Sequence, residues 1–292
     1  MIKELVIVSG KGGTGKTSVT ASFAVLAAGH AVLADCDVDA ADLHLVLTPH
    51  DTTTTEFKSG HEAVIQPGKC KGCGLCAAYC RYGAVKALKR PFGKPLYAVD
   101  PLACEGCGVC FRFCPAGAVA FPERLCGQRM VSETRCGTMV HARLGAAAEN
   151  SGKLVASVRQ EARRLAEESG KTLLITDGPP GIGCPVIASL TGASHALIVT
   201  EPTVSGEHDL ERVLALTKHF GIPVSVCVNK WDINPLMTER IETLARTHGA
   251  QSAGRIRYDR AVTTAQVKGK AVVEMASPAA DDIKNVWAKL NP

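Results

Sequence analysis

The sequence is poor in aromatic residues, 4% of 292, which disfavours stacked-base recognition of nucleic acid. It has no run of five basic residues, and its net charge of +5 is mild, so no nucleic-acid surface is indicated. No apolar stretch approaches the roughly 20 residues that span a bilayer. The nine histidines form no H-x-x-x-H or H-E-x-x-H pair. The amino terminus, MIKELVIVSGKGG, has an apolar core of only five residues before glycine and lysine. It is expected to form a first strand and not a signal peptide, and a cytoplasmic location follows.

Cysteine, by contrast, is abundant. Thirteen cysteines in a reducing compartment argue for metal or redox chemistry and against a disulfide framework. With 46% hydrophobic residues, the chain is long enough for one large domain and a small one.

Short apolar runs end in polar or glycine-rich turns at 5–10, 31–37, 172–178, 196–202 and 223–229. Their lack of alternation suits strands buried on both faces of a parallel sheet. Helical segments are expected over 16–28, 152–168, 207–219 and 235–248, with Gly29, Gly170, Gly221 and Gly249 placed to end them. The alternation predicts an α/β doubly wound, mainly parallel sheet with its ligand at the carboxyl ends of the strands. Residues 56–122 break the rhythm and read as a small inserted α+β domain, leaving 1–55 and 123–292 as the α/β domain. DTTTTE (51–56) is expected to be the linker leading in, and the exit lies near Pro122.

GKGGTGKT, Gly10 to Thr17, is a phosphate-loop pattern between a strand and a helix. Backbone amides of Gly10, Lys11, Gly12, Gly13, Thr14, Gly15 and Lys16, with Thr17 and Ser18 at the helix start, are expected to cradle phosphate. Lys16 would reach the β- and γ-phosphates, and Thr17 would hold Mg²⁺. An aspartate closing an apolar strand is placed at the same sheet edge, where a carboxylate is needed to order Mg²⁺, which makes Asp37 and Asp177 the candidate Mg²⁺ carboxylates; Asp39 and Asp42 read as turn or capping residues. Asn229 and Asp232, in NKWD after the fifth strand, are candidates for base contact, with ATP favoured and GTP open.

The cysteines form two runs of C-x₂-C-x₂-C-x₃-C, CKGCGLCAAYC at 70–80 and CEGCGVCFRFC at 104–114, a duplication offset by 34 residues. Paired C-x₂-C knuckles also make zinc sites. Three closely spaced thiolates with a fourth set back are instead the bacterial ferredoxin arrangement, in which the fourth cysteine ligates the other cluster. Cys70, Cys73, Cys76 and Cys114 would hold one [4Fe–4S] cluster; Cys104, Cys107, Cys110 and Cys80 the other. Gly72, Gly74, Gly106 and Gly108 would relieve crowding there. Pro115 follows the second run, whereas Arg81 stands at its counterpart.

Of the other cysteines, Cys36 and Cys227 read as small buried strand residues and Cys126 and Cys136 as structural filler. Cys184, just after the Asp177 segment, is a candidate thiolate ligand or redox group.

KGGTGKT, with its extra Lys11, DCDVDAADLHL (35–45) and DGPPGIGCPV (177–186) resemble the deviant phosphate loop and switch segments of the MinD/ParA/Mrp superfamily of P-loop ATPases. With the cysteine runs and the segment 131–155, nearly the full chain resembles members that carry an inserted dicluster ferredoxin domain. The resemblance implies a nucleotide-dependent homodimer, or a heterodimer with a related ATPase. In such a dimer Lys11 crosses to the partner's nucleotide, Asp37 positions the attacking water, and Asp177 lies near Mg²⁺. It implies ATP hydrolysis that is slow or partner-stimulated, coupled to electron transfer or to metal–sulfur cofactor assembly with a protein partner. Two alternatives stand beside this: a cluster scaffold or carrier, disfavoured by the absence of a C-x-x-C pair outside the insert, and a MinD/ParA-like positioning ATPase with a redox-sensing insert. Membrane positioning needs a terminal amphipathic helix. The end DDIKNVWAKLNP is short and mixed in charge and is expected to pack on the core, so no stable membrane anchoring is expected.

Overall fold

The structure is a computed structural model that describes residues 2–89, 93–145 and 151–292. Its first elements are β1 (Lys3–Ser9), α1 (Lys16–Leu26), β2 (Ala31–Asp35), α2 (Leu43–Leu47), β3 (His50–His61) and β4 (Val64–Ile65). The cysteine-rich region supplies α3 (Leu75–Ala78), β5 (Val85–Leu88), β6 (Leu96–Val99), α4 (Val109–Arg112) and β7 (Val119–Ala120). There follow β8 (Glu123–Thr134), β9 (Gly137–Leu144), α5 (Ser151–Glu168), β10 (Leu173–Pro180), α6 (Cys184–Leu190) and β11 (His195–Thr200). The chain closes with α7 (Val204–His219), β12 (Val224–Asn229), α8 (Pro235–Thr247), β13 (Gln251–Ile256), α9 (Arg260–Val267) and α10 (Pro278–Leu290).

A nine-stranded sheet has the order β13-β12-β11-β1-β10-β2-β9-β8-β3. Every pairing from β13 to β9 is parallel. Both faces of these strands are apolar because both are covered. Leu5 and Ile7 of β1 face one core with Phe23 of α1 and Ile283 of α10, while Val6 and Val8 face another with Leu190 of α6 and Leu210 of α7. Each such fully buried side chain contributes about 1.5–3 kcal/mol. Helix starts follow local chemistry: Thr203 accepts from the Gly206 amide, Asn234 from Met237 and Ser277 from Ala280, with proline in the first turn of α8 and α10. The terminal segment packs as expected, with Val286 buried and the Trp287 ring 4.9 Å from that of Phe23. Among the described residues no helix is long and apolar enough to cross a membrane.

The five expected strands are present, and β3, β8, β9 and β13 join them in the same sheet. DTTTTE is not a linker but part of β3, a strand at the sheet's edge. Its β-branched threonines favour an extended backbone, and their exposure leaves no apolar pattern to reveal it. Of the segment 131–155, residues 146–150 lie outside the described residues.

The chain divides into two compact units: the described residues of Met1–Thr55, Gln128–Leu144 and Asn150–Pro292, and those of Glu56–Gly127 and Gly145–Glu149. The second unit contains two small antiparallel pairs, β4 with β7 and β5 with β6. Its core is slight: Ala63, Ile65, Val85 and Val119 are buried, and six cysteines pack against them.

Candidate functional site

The turn from β1 into α1 lies at the carboxyl end of the sheet, where β1 is flanked by β10 and β11. Gly15 has φ +88°, and a Cβ there would strike the Asn229 amide; a Cβ on Gly10 would strike Asp209. Glycine is thus required at both ends of the loop. The Thr14 side-chain oxygen is buried without a hydrogen-bond partner. An orphaned hydroxyl inside a glycine-rich loop before a helix N-terminus fits a site shaped for an anion.

Lys16, 6% exposed, sits among carboxylates, with Nζ 2.9 Å from Asp177 Oδ2 and 3.6 Å from Asp37 Oδ2. Thr17 and Thr20 hydroxyls donate to the two Asp177 oxygens at 2.8 and 2.7 Å. Burial works to lower the Lys16 pKa, but Asp177 and Asp37 outweigh it and raise it. The Asp37 carboxyl is raised, chiefly by burial, against the opposing pull of Lys16. Thr17, Asp37, Lys16 and Asp177 are therefore drawn together beside the loop. The arrangement fits a Mg²⁺–phosphate group: a hydroxyl and a carboxylate for the metal, and an ammonium for phosphate. Ser18 is buried and its hydroxyl accepts from Gln266 Nε2 of α9 at 2.9 Å.

Asp35 went unnoticed in the sequence. It is fully buried, accepts from the amides of Asp37 and Leu43 at 3.1 and 3.2 Å, and so ties the Asp37 turn to α2. Burial, and then Asp177, raise its pKa well above the usual carboxylate range. Glu201, at the end of β11, was also missed. Its carboxylate lies 2.5 Å from Lys11 Nζ and 3.1 Å from Lys230 Nζ. Lys11 further donates to Ser205 and Thr203, and Lys230 to the Gly13 carbonyl. The signal available for both is the one used for Asp37 and Asp177, an acid at the end of an apolar run; in the structure Asp37 lies two residues beyond β2 and Asp177 within β10.

Asn229 donates from Nδ2 to the Thr14 carbonyl at 2.7 Å and accepts from Lys230 N, so it braces the loop. One Asp232 oxygen accepts from the Tyr258 amide at 2.7 Å. Gly12 stands in open space.

In the second unit the cysteines sort into two cavities. One, with an enclosed volume of about 20 Å³, is lined by Cys70, Cys73, Cys76 and Cys114. The other, of about 20 Å³ on the same measure, is lined by Cys80, Cys104, Cys107 and Cys110. The fourth cysteine of each run thus lines the cavity of the other run. Among the described residues, no three His, Cys, Asp or Glu side chains gather so as to hold a single metal ion; each quartet rings a volume. Ala118 N donates to Cys114 Sγ at 3.3 Å. Burial works to raise the Cys80 thiol, yet amides of Ala84, Tyr82, Val85 and Gly83 bring it below the usual range. Gly106 faces the His61 carbonyl and Gly72 the Pro95 carbonyl, so the space that these two glycines spare belongs to neighbouring backbone. Arg81 is exposed.

Cys36, Cys126, Cys136 and Cys227 are buried, and Cys126 donates to the Ser59 carbonyl. Cys184 is exposed at the first position of α6.

An uncharacterised protein of Methanocaldococcus jannaschii is 33% identical over 239 residues, 80% of each chain. A second one from that organism is 26% identical over 243 residues, 80% of this chain and 84% of that one. Among solved structures, the septum site-determining protein MinD of Pyrococcus horikoshii, complexed with Mg-ADP, gives a TM-score of 0.59 at 17% identity, covering 100% of this chain and 96% of the other. The cell division ATPase MinD of Pyrococcus furiosus gives 0.57 at 19%, covering 100% and 99%. These structural likenesses establish a shared fold. Residues 5–272 match the CobQ/CobB/MinD/ParA nucleotide binding domain, and with the phosphate loop in place at the sheet's carboxyl edge, the chain belongs to that family.

Proposed function

We propose that the protein is a MinD/ParA-like ATPase that binds Mg²⁺-ATP, dimerises with nucleotide and carries two [4Fe–4S] clusters in its second unit. The observation that supports the nucleotide reading best is Lys16 held between Asp177 and Asp37 beside the orphaned Thr14 hydroxyl. Bound Mg²⁺ supplies charge neutralisation between phosphate oxygens. The chain's part is positioning. On binding, Lys16 would turn from the carboxylates to phosphate, Thr17 and Asp177 would hold the metal, and Asp37 would orient water. Lys11 leaves Glu201 to reach a partner's nucleotide. Hydrolysis of ATP by the purified protein with Mg²⁺, lost in Lys16→Ala, tests this reading; an unchanged rate in that variant refutes it.

Two cavities, each ringed by four cysteines in the crossed pattern, support the cluster reading. The slight core of the second unit supports it too, because a unit of this size gains little from burial alone and needs a staple. Bound clusters supply one-electron chemistry. Sulfur-directed amides at Cys80 and Cys114 stabilise negative charge there.

Solved structures of similar fold include MinD and ParA-family proteins, and this favours a nucleotide-state switch with a redox-responsive insert over an electron carrier. Electron transfer remains the second reading, favoured by two cysteine cavities within one small unit. Two relatives in a single organism accord with a heterodimer as well as a homodimer.

A further inference from the structure

We propose that the exposed pair Tyr79 and Phe113, with Arg81 and Arg112 beside it, is a docking surface for an acidic redox protein; this rests on the cluster reading above. Residues 56–122 contain nine lysines and arginines against four acids, a surplus of five that equals the net charge of the whole chain, +5. The same stretch holds eight of the thirteen aromatic residues. Among the described residues, four of the five strongly exposed aromatics lie in it: Tyr79, Tyr82, Phe111 and Phe113. Net positive charge and exposed aromatic surface are thus concentrated in this stretch, the rest of the chain carrying as many acids as lysines and arginines.

Tyr79 and Phe113 occupy the same place in the two cysteine runs, each one residue before the fourth cysteine. Their rings stand 5.5 Å apart, tilted by 54°, and are 49% and 60% exposed. Cys80 lines one cavity and Cys114 the other, so each ring belongs to the residue next to a cavity-lining cysteine. Arg81 follows Tyr79 by two residues and Arg112 immediately precedes Phe113; both are exposed, and among the described residues neither has an ion-pair partner. Aromatic and arginine side chains are those that carry binding energy at protein interfaces. Unpaired arginines beside them select an acidic partner and speed its approach. The two rings pack on each other instead of presenting parallel, separated faces for bases, which disfavours a nucleic acid. In the docked pair one electron passes between a cluster and the partner's own redox group. When the partner is a flavoprotein, a reduced cluster is oxidised by one electron and the flavin takes up that electron with a solvent proton.

The test uses the full-length protein purified without oxygen, with iron and the electron paramagnetic resonance of the reduced clusters measured first. A strongly acidic flavodoxin is the probe, and a basic cytochrome c the control. The expected rate of electron exchange with flavodoxin falls about tenfold between low and high salt. Arg81→Glu/Arg112→Glu loses about tenfold at low salt, and Tyr79→Ser/Phe113→Ser loses a similar factor at any salt, with iron and resonance unchanged. Normal clusters with an unaltered rate in both variants overturn the docking surface alone. Absence of iron from the wild-type protein overturns the cluster reading and the docking with it. Equal or better exchange with cytochrome c, reduced by the same variants, overturns the acidic partner. Tight binding of a single-stranded RNA lost in these variants overturns the protein partner.

Discussion

The Lys11 ammonium lies 2.5 Å from the Glu201 carboxylate of its own chain, and the second oxygen of that carboxylate holds Lys230 at 3.1 Å. One acid therefore ties down the lysine proposed above to reach a partner, and braces the phosphate loop through Lys230 and Gly13. Glu201→Gln keeps the shape and removes the charge. Nucleotide-dependent self-association is expected at about three- to tenfold lower ATP in this variant, measured by sedimentation velocity. Burial works to raise the Glu201 pKa, but Lys11 and Lys230 outweigh it and lower it. A depressed carboxyl stabilises the tether above the ordinary glutamate pKa and loses it as pH falls through the lower folded value. Self-association is therefore expected to show no Glu201-dependent change between neutral and weakly acidic pH.

Lys16→Ala removes the cation facing Asp177, which is fully buried. Hydrolysis is expected to fall by about 100-fold or more. The melting temperature should fall as well, because a buried carboxylate is left without its countercharge. Lys16→Arg separates the two effects: it restores charge and stability, but not the reach of a primary ammonium, so activity stays low.

The crossing of the cysteine runs has a consequence for pairs of substitutions. Cys73→Ser with Cys114→Ser strikes one cavity, whereas Cys73→Ser with Cys80→Ser strikes both. The first pair should retain about four irons per chain and the second almost none. Uncrossed runs would reverse the two results.

His141 is buried against Ser132, its Nε2 2.9 Å from that hydroxyl, and stacks on His44 at 6.2 Å. Burial first, and then His44, lower its pKa to about 4. A histidine depressed in the folded state binds its proton more readily when unfolded. Stability from this site is therefore complete above about pH 6.5 and lost as pH falls toward 4, by up to about 3 kcal/mol. In His141→Gln that part of the pH dependence of thermal unfolding should vanish.

What could be read in advance followed physical periodicity. Five two-sided apolar runs and a glycine loop located the sheet and its carboxyl edge, because burial on both faces leaves an uninterrupted pattern. The threonine run of β3, the edge strand, and the mixed sequence of its neighbour β8 carried no such pattern, since β3 is largely and β8 partly uncovered. Asp37 and Asp177 were legible as acids following apolar runs, although Asp37 lies beyond β2 and Asp177 within β10. Asp35 and Glu201 had the same signature, but their work is to hold backbone amides and lysines distant in sequence, which only the fold reveals. The engagement of Asn229 with the Thr14 carbonyl likewise depends on the approach of β12 to the loop across a span of 215 residues.

The most direct measurement is iron and acid-labile sulfide per chain in protein purified without oxygen. Two [4Fe–4S] clusters require about eight of each. Zinc in place of iron, or less than one iron per chain after anaerobic reconstitution, would contradict the account and leave the protein a MinD/ParA-family ATPase without redox groups.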